Sequence, residues 1–378
     1  MSFFSMHVHE NKKYWIALNM VPGIGAVTCR KLLNVFRTPE EIFAAPLQRL
    51  SAIPGVSEKM ARTIVNFGVP DQVNQALEDL EQYQVQVVTC HDEEYPSALT
   101  TIFDPPPLLY VKGVPLQHHD ILVAVVGSRR ASTYGRTVAE QLCRELSMKG
   151  VTVVSGMARG IDSAAHRGAL HAGGRTIAVL GCGVNVIYPP ENSQLYHEIL
   201  EHGTIISEYP LHAKPDRGNF PARNRIISGM SLGTVVVEAG SRSGALITAD
   251  TALEQGRDVF AVPGNITSAS SQGTNHLLKQ GAILVEHAED ILNALPLEIS
   301  RELGQVQPEL PFKETPPLSP PLTAEEQQVL ACIDTHPIHI DTITIRSQLP
   351  SSKVSATLMI LEMKNLIRQL TGKMFLRV

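Results

Sequence analysis

The feature that most constrains the fold is a set of short Val- and Ile-rich runs between residues 115 and 295, separated by stretches with helical spacing. Such runs are typical of strands buried on both faces, which occur in parallel sheets covered by helices. Val138, Leu142 and Leu146 illustrate the helical spacing at i, i+4 and i+8. The candidate strands are Ile121 to Val126, Val151 to Val154, Thr176 to Leu180, Thr204 to Ile206, Thr234 to Val237, Val259 to Val262 and Ile283 to Val285. We therefore predict an α/β domain with a Rossmann-like, doubly wound, mostly parallel sheet.

The first 90 residues contain an internal repeat that predicts a helical domain. Val21-Pro22-Gly23-Ile24-Gly25 precedes Arg30, and Ile53-Pro54-Gly55-Val56-Ser57 precedes Arg62 with the same offset. Each copy resembles a helix-hairpin-helix (SAM-like) unit, whose glycine turn exposes backbone N–H groups to a phosphate. Ser57 departs from that pattern, which has glycine there. Two roles stay open for this domain: contact with DNA, or a purely structural or protein-docking role.

The end of the chain predicts a winged helix over residues 323–378, because three helical segments precede a hairpin with alternating apolar residues. Its third helix offers few base-reading side chains, namely Ser352, Lys353, Ser355 and Thr357. DNA binding and protein binding therefore both stay open for this domain. Residues 301–322 are rich in proline and predict an extended linker. The predicted domains are thus helical over 1–90, Rossmann-like over 91–300 and winged-helix over 323–378.

Charge, cysteines and apolar runs exclude several classes of protein. A net charge of −5 argues against a wholly basic nucleic-acid coat, so any anion site must be local. Five cysteines without a CxxC pair speak against a disulfide framework or a zinc site and favour a reducing cytoplasm. His118-His119 and His336 with His339 lack further ligands at suitable spacing, so we expect no metal. No run of 18 apolar residues occurs, and we expect neither secretion nor membrane insertion.

Glycine and serine follow three of the predicted strands, where a doubly wound sheet binds its ligands. The segments are Gly127-Ser128-Arg129-Arg130, Ser155 to Gly160 and Gly181-Cys182-Gly183. Small residues at such places let backbone amides approach an anion. Neither a GxGxxG fingerprint nor a GxxxxGK[ST] loop is present, so the sequence predicts no NAD or ATP cofactor.

Arginine is concentrated in the same region. Residues 120–290 contain twelve arginines and three lysines against sixteen acidic residues. Four of the arginines fall at predicted strand ends or helix starts: Arg129, Arg159, Arg223 and Arg225. The planar guanidinium pairs with phosphates and stacks on bases, and Phe220 is a candidate stacking platform, so the pattern favours a nucleic-acid backbone as ligand. The alternative for individual arginines is a structural pair with Glu208, Glu238 or Asp162.

Asp162 and His166 lie one turn apart on the predicted helix after the second strand. Such a pair is compatible with acid–base chemistry. We favour a structural role, in which both residues fix the loop that holds Arg159. No catalytic residue is predicted.

Six sequence blocks occur in an order that resembles the DprA/Smf family, DNA processing protein A. The blocks are Gly127 to Arg129, Ser155 to Asp162 with Ala165-His166, Gly181 to Gly183 with Ile187-Tyr188-Pro189, Phe220 to Gly229, Ser243 to Ala249, and Val259 to Gly264. They span the whole central domain, and the flanking regions agree with a domain layout of that family. One departure is Asn185, where aspartate is common in the family.

The resemblance implies a bacterial cytoplasmic protein that is not an enzyme. Such a protein binds single-stranded DNA in a basic pocket of the Rossmann-like domain, forms a homodimer and loads RecA, which supports natural transformation and homologous recombination. Motif matching places the DNA pocket on Ser128, Arg129, Ser155, Gly156, Arg159, Phe220, Arg223, Asn224 and Arg225. We expect charge reversal at Arg129, or at Arg223 with Arg225, to abolish single-strand binding and leave the fold intact.

Two other functions stay open. One is a nucleotide-hydrolysing Rossmann enzyme that resembles the phosphoribohydrolases, although the segment Val237 to Gly244 lacks the PGGxGT block typical of those enzymes. The other is a transcription regulator whose Rossmann-like domain senses a nucleotide and whose winged helix binds an operator.

Overall fold

The chain divides into two compact units, Met1–Val306 and Gln307–Val378, and each is considered by itself. The computed structural model describes residues 12–67, 71–117, 119–296, 322–334, 338–364, 366–370 and 372–377. The sequence predictions for residues 1–11, for the linker over 301–321 and for His118 and His336 fall outside the described residues.

The first unit begins with helices, as the internal repeat predicts. They are α1 Lys13–Met20, α2 Ala26–Phe36, α3 Pro39–Ala44, α4 Leu47–Ser51, α5 Glu58–Phe67 and α6 Asp71–Gln82. Gly23 and Gly55 have φ of 82° and 88°, the left-handed region that favours glycine, so both predicted turns are present. Ser57, which departs from the repeat, accepts a hydrogen bond from the Met60 amide at 3.2 Å and thereby caps α5.

Nine strands among the described residues form one sheet, in the order β1-β2-β6-β5-β4-β3-β7-β8-β9. They are β1 Gln86–Thr89, β2 Leu108–Gly113, β3 Ile121–Val126, β4 Val151–Ser155, β5 Thr176–Val179, β6 Thr204–Ser207, β7 Gly233–Val236, β8 Asp258–Ala261 and β9 Ile283–Leu284. Strands β3 to β9 run parallel to one another, whereas β2 pairs antiparallel with β1 and β6. The predicted mostly parallel sheet is confirmed, and the seven predicted strands match β3 to β9. Strands β1 and β2 are not among the predicted strands.

Helices cover both faces of this sheet. They are α7 Ser97–Thr100, α8 Thr133–Met148, α9 Ile161–His171, α10 Ser193–His202, α11 Asn219–Gly229, α12 Gly244–Glu254, α13 Gln272–Lys279 and α14 Ala288–Ala294. Consecutive residues of β3 belong to different apolar clusters: Val125 shares one with Leu142 of α8, and Val126 shares the other with Ile226 of α11. The sheet is therefore doubly wound, as predicted.

The order of the strands reverses at β3, which lies between β4 and β7. From β3 the chain adds β4, β5 and β6 on one side, then returns to add β7, β8 and β9 on the other. In such sheets the loops after the two central strands diverge and leave a crevice for a ligand. The crevice here lies beyond the carboxyl ends of β3 and β7.

The helical N-terminus packs against the antiparallel edge of the sheet. Trp15 and Ile16 of α1 share an apolar cluster with Tyr110 of β2. The Lys12 ammonium donates to the Val87 carbonyl and pairs with Asp92, both at 2.6 Å. These contacts join the helices and the α/β part into one compact unit.

The second unit is a winged helix, as predicted. It contains α15 Ala324–Leu330, β10 Ile338–His339, α16 Ile340–Ser347, α17 Ser351–Met363, β11 Ile367–Leu370 and β12 Met374–Arg377, with the strands in the order β10-β12-β11. Lys353 pairs with Glu325 at 2.6 Å, and Lys364 pairs with Glu326 at 2.7 Å. Both lysines near the ends of α17 are thus engaged by α15, and Thr357 is buried.

Candidate nucleic-acid interface

A cleft of about 990 Å³ opens beyond the carboxyl ends of β3 and β7, at the point where the strand order reverses. We call it the strand-end cleft. Its walls are the loops after β3, β4 and β7, together with α11 and the first turn of α12. The lining residues with side chains of functional interest are Ser128, Arg129, Arg130, Asp162, Arg223, Asn224, Arg242, Ser243 and Thr248.

Glu238 holds the loop after β3 in place. Its backbone carbonyl accepts from the Ser128 amide at 2.7 Å, and its carboxylate accepts from the amide and hydroxyl of Ser132. Ser132 in turn caps α8 by accepting from the Gly135 amide at 3.0 Å. Glu238 is therefore hydrogen-bonded to the loop, whereas Arg129 on that loop is exposed.

Arg129 lies over an aromatic pair at the side of the cleft. Its guanidinium carbon is 5.1 Å from the centroid of the Phe220 ring, a cation–π contact. The ring of Tyr188 lies 5.5 Å from that of Phe220. A cavity of about 180 Å³, which we call the side cavity, is lined by these three residues and by Gly156 and Arg159.

Arg159 carries an acidic partner. Its guanidinium pairs with the Glu191 carboxylate, and about 60% of each side chain remains exposed. The Asn192 amide next to Glu191 donates to the Met157 carbonyl at 2.8 Å and to the Ser163 hydroxyl at 2.9 Å. Glu191 is thus held against Arg159 by a turn that is fixed to the loop after β4.

Arg223 lies beneath the cleft and is only 3% exposed. Its guanidinium donates to the carbonyls of Gly156, at 2.8 Å, and Val179. A Cβ atom at position 156 would collide with this guanidinium, so any larger residue there would have to displace Arg223 from these carbonyls. Burial lowers the pKa of Arg223 to about 10, with Asp162 acting in the opposite direction. Arg223 therefore remains charged at neutral pH.

Asp162 and His166 belong to the same buried region. Burial raises the pKa of Asp162 to about 6, against the opposing effect of Arg223. Burial, reinforced by Arg223, lowers the pKa of His166 to about 3, so this imidazole is neutral. His166 Nδ1 lies 2.6 Å from the Thr176 hydroxyl, which itself donates to the Val153 carbonyl. Asp162 accepts a hydrogen bond from the Ala158 amide at 3.3 Å and so contacts the loop that carries Arg159, whereas the hydrogen bond of His166 is to β5 and not to that loop.

Arg225 and Ser155 lie away from both cavities. The Arg225 guanidinium donates to both Glu208 oxygens, at 2.8 and 2.7 Å, and to the Asp104 carboxylate at 2.9 Å. Burial opposes the charge of Arg225, but Glu208 and Asp104 outweigh it and raise the pKa. Ser155 is buried and donates to the Val125 carbonyl at 2.6 Å.

The structure thus divides the nine predicted pocket residues into three groups. Ser128, Arg129, Arg223 and Asn224 line the strand-end cleft. Gly156, Arg159 and Phe220 line the side cavity, to which Arg129 also contributes, and Ser155 and Arg225 line neither. The expectation that charge reversal at Arg223 with Arg225 spares the fold needs correction, since both guanidinium groups are engaged with buried or acidic partners. Arg223 and Arg225 also lie inside α11 rather than at its start.

Two exposed cations of the cleft, Arg130 and Arg242, were not among the predicted pocket residues, although Arg130 lies in a segment that the sequence places at this edge of the sheet. Arg130 directly follows Arg129, and Arg242 lies in the loop after β7. Because β7 flanks the point of strand reversal, the strand-end rule applied to that loop would have found Arg242.

The described residues contain neither a candidate metal cluster nor a helix that could span a membrane. No group of three or more His, Cys, Asp or Glu residues could hold a metal ion there. A helix able to traverse a lipid bilayer is likewise not found in that part of the chain.

Three family models match the chain. Residues 86–296 match DNA recombination-mediator protein A, residues 313–373 match the DprA winged helix domain, and residues 16–67 match the SAM-like helix-hairpin-helix tandem. Protein Smf of Synechocystis sp. is 35% identical, with 98% of this chain and 99% of that protein covered.

The solved structures that are similar to the chain include two DNA processing proteins. DNA processing protein A of Streptococcus pneumoniae is 36% identical with a TM-score of 0.67, covering 75% of this chain and 98% of that one. The protein of the same name from Helicobacter pylori, described for its single-stranded DNA binding mode, is 32% identical with a TM-score of 0.51, covering 56% and 95%.

Proposed function

The chain belongs to the DprA/Smf family of DNA-processing proteins, and we propose that it binds single-stranded DNA without sequence preference in the strand-end cleft. The observation that carries this proposal is the set of exposed cations around the cleft: Arg129, Arg130 and Arg242. The acidic group of the cleft, Asp162, lies beside the buried Arg223, so the exposed surface of the cleft stays positive. Guanidinium groups pair with phosphates whatever the base, which predicts sequence-independent binding.

The aromatic pair of the side cavity favours binding of single-stranded DNA over binding of duplex DNA. Phe220 and Tyr188 stand beside Arg129, where an unstacked base could lie against a ring while its phosphate meets the guanidinium. Bases in a duplex are stacked on one another and cannot use such a platform. The single-stranded DNA binding reported in the name of the Helicobacter pylori structure agrees with this proposal.

The wider role follows from family membership. We propose that the chain acts in the cytoplasm as a homodimer, loads RecA onto the bound strand without catalytic turnover, and so serves natural transformation and homologous recombination. The engaged lysines of α17 argue against operator recognition by the winged helix, since cations on that helix would have to leave Glu325 and Glu326 to reach phosphates.

Fluorescence anisotropy of a labelled oligothymidylate, measured over a salt series with duplex as competitor, tests the function directly. We expect tight binding that weakens steeply with salt and that duplex of equal length displaces poorly. No binding, or a preference for duplex, would contradict the proposal. RecA filament formation on the bound strand would then test the loading role.

Glu191 is expected to weaken binding, because its carboxylate occupies the guanidinium of Arg159 that a phosphate would otherwise use. We expect Glu191→Gln to raise the affinity for oligothymidylate about two- to fivefold. The slope of log affinity against log salt should steepen by about 0.7. Glu198→Gln on α10 removes the same charge from a residue outside both cavities and serves as the control. The gain should vanish in an Arg159→Ala background, and a gain that persists there would refute competition for Arg159.

A further inference from the structure

Phe103 is the most exposed aromatic side chain in the described part of the chain, with 79% of its surface accessible. It follows the buried Ile102 in the segment between α7 and β2. Single exposed apolar residues are common, so exposure alone says little. What distinguishes Phe103 is how firmly its backbone is held.

Two arginines hold the backbone around Phe103. Arg30 of α2 donates to the Phe103 carbonyl at 2.7 Å. Arg225 of α11 donates to the carbonyl of the next residue, Asp104, at 3.1 Å and to its carboxylate at 2.9 Å. The ring is therefore attached to a backbone segment that hydrogen bonds from two helices, α2 and α11, hold in place. A fixed aromatic loses little conformational freedom when a ligand stacks on it.

Helix α11 connects Phe103 to the strand-end cleft. Asn224 lines the cleft, and its neighbour Arg225 makes the contact with Asp104. The same helix carries Phe220, the aromatic residue beside Arg129. A strand that leaves the cleft across α11 would thus meet Phe103 next.

Helices α1 to α5, one of which provides Arg30, are rich in cations, unlike the chain as a whole and unlike α6, whose residues 71–82 contain four acidic residues and no lysine or arginine. Residues 12–67 contain eight lysines and arginines against three acidic residues, while the whole chain has a net charge of −5. Arg30 and Lys31 of this region are both exposed. Such a charge balance suits a polyanion that continues from the cleft, and it would not select for an apolar protein partner.

We propose that Phe103 is a second stacking platform, which contacts a base of a single strand that runs from the strand-end cleft across α11 toward the N-terminal helices. This inference rests on the proposed function. It assigns the N-terminal helical region a part in holding the strand, with Arg30 both fixing Phe103 and lying beside the path. The footprint on DNA is then longer than the cleft alone would need.

Length-dependent binding tests the second platform in the full chain. We expect Phe103→Ser to weaken binding of an oligothymidylate of about twenty nucleotides roughly tenfold, and to leave binding of one of about six nucleotides unchanged. Phe103→Tyr should keep most of the affinity for the longer strand. Met148→Ala, which removes another exposed apolar side chain on α8, is the matched control. Thermal melting of each variant checks that the fold is retained.

A direct readout uses tryptophan emission, because the chain has a single tryptophan, the buried Trp15. In a Trp15→Phe background, Phe103→Trp should lose emission when the longer strand binds, since a base stacks on the indole. Met148→Trp in the same background should not respond.

The outcomes separate this inference from the proposed function. If the unaltered protein binds neither strand, the proposed function fails. If it binds both and Phe103→Ser binds both equally well, the second platform is refuted while the cleft proposal stands. Equal losses for the two lengths would also refute a separate contact. Emission of the Phe103→Trp variant that stays constant on binding would refute stacking.

Discussion

Arg129→Glu is expected to weaken binding of single-stranded DNA about a hundredfold at moderate salt. The substitution removes a guanidinium that faces both cavities and replaces it with a charge that repels phosphate. Arg129 is exposed, and the contact the structure gives its guanidinium is with the Phe220 ring, so folding should be little affected. Anisotropy with an oligothymidylate measures the loss, and thermal unfolding should give a stability within about 0.5 kcal/mol of the unaltered protein.

The matched control for Arg129→Glu is Arg144→Glu. Arg144 is exposed on α8 and lies outside both cavities. The control makes the same change of net charge, so it separates a local contact from long-range electrostatics. Comparable losses in the two variants would mean that net charge, and not the strand-end cleft, determines the affinity.

Arg223→Met, unlike Arg129→Glu, is expected to destabilise the folded protein, and to lower the free energy of unfolding by about 3–5 kcal/mol. The change removes the hydrogen bonds to the Gly156 and Val179 carbonyls and leaves the Asp162 carboxylate buried without the cation that most lowers its pKa. Urea unfolding measures the loss. Arg217→Met, at an exposed arginine just before α11, should change stability by less than about 0.5 kcal/mol.

A second substitution and the pH test the cause of that loss. Asp162→Asn in the Arg223→Met background should restore part of the stability, because it removes the uncompensated charge. The folded pKa of Asp162 is raised from 3.8 to about 6, so its proton stabilises the native state at low pH, and this contribution is lost as the pH rises through 6. Without Arg223 that pKa rises further. The penalty of Arg223→Met should therefore be smaller at pH 5 than at pH 8, and an equal penalty at both would contradict the role of Asp162.

The sequence predicts the parallel part of the sheet because strands β3 to β9 are buried on both faces and read as continuous apolar runs. Strand β1 precedes a segment dense in proline, Glu93 to Pro115, and strand β2 lies within it. Such a segment is typical of a boundary between domains rather than of a strand. The two strands pair with each other and β2 pairs with β6, contacts between distant parts of the chain that no local pattern reports.

For the site, the sequence predicts which arginines lie near the ends of strands, but it does not predict which partners their side chains contact. Arg129 follows a strand end, and the general rule for parallel sheets brings it to the cleft. Arg223 and Arg225 are two residues apart on one helix, so they face different surroundings. Their partners, Gly156 for the first and Glu208 with Asp104 for the second, lie in other elements. Which of the two meets ligand therefore depends on how α11 is rotated on the sheet.

The buried arrangement of Arg223 over Gly156 has a consequence for saturation mutagenesis of this chain. A screen that selects for folded protein would reject most changes at both positions, and one that selects for DNA binding would reject the same changes. Arg129 would be tolerant in the first screen and intolerant in the second. The residues that contact DNA would then be those that tolerate substitution in the folding screen and not in the binding screen. Intolerance in either screen alone would not identify them.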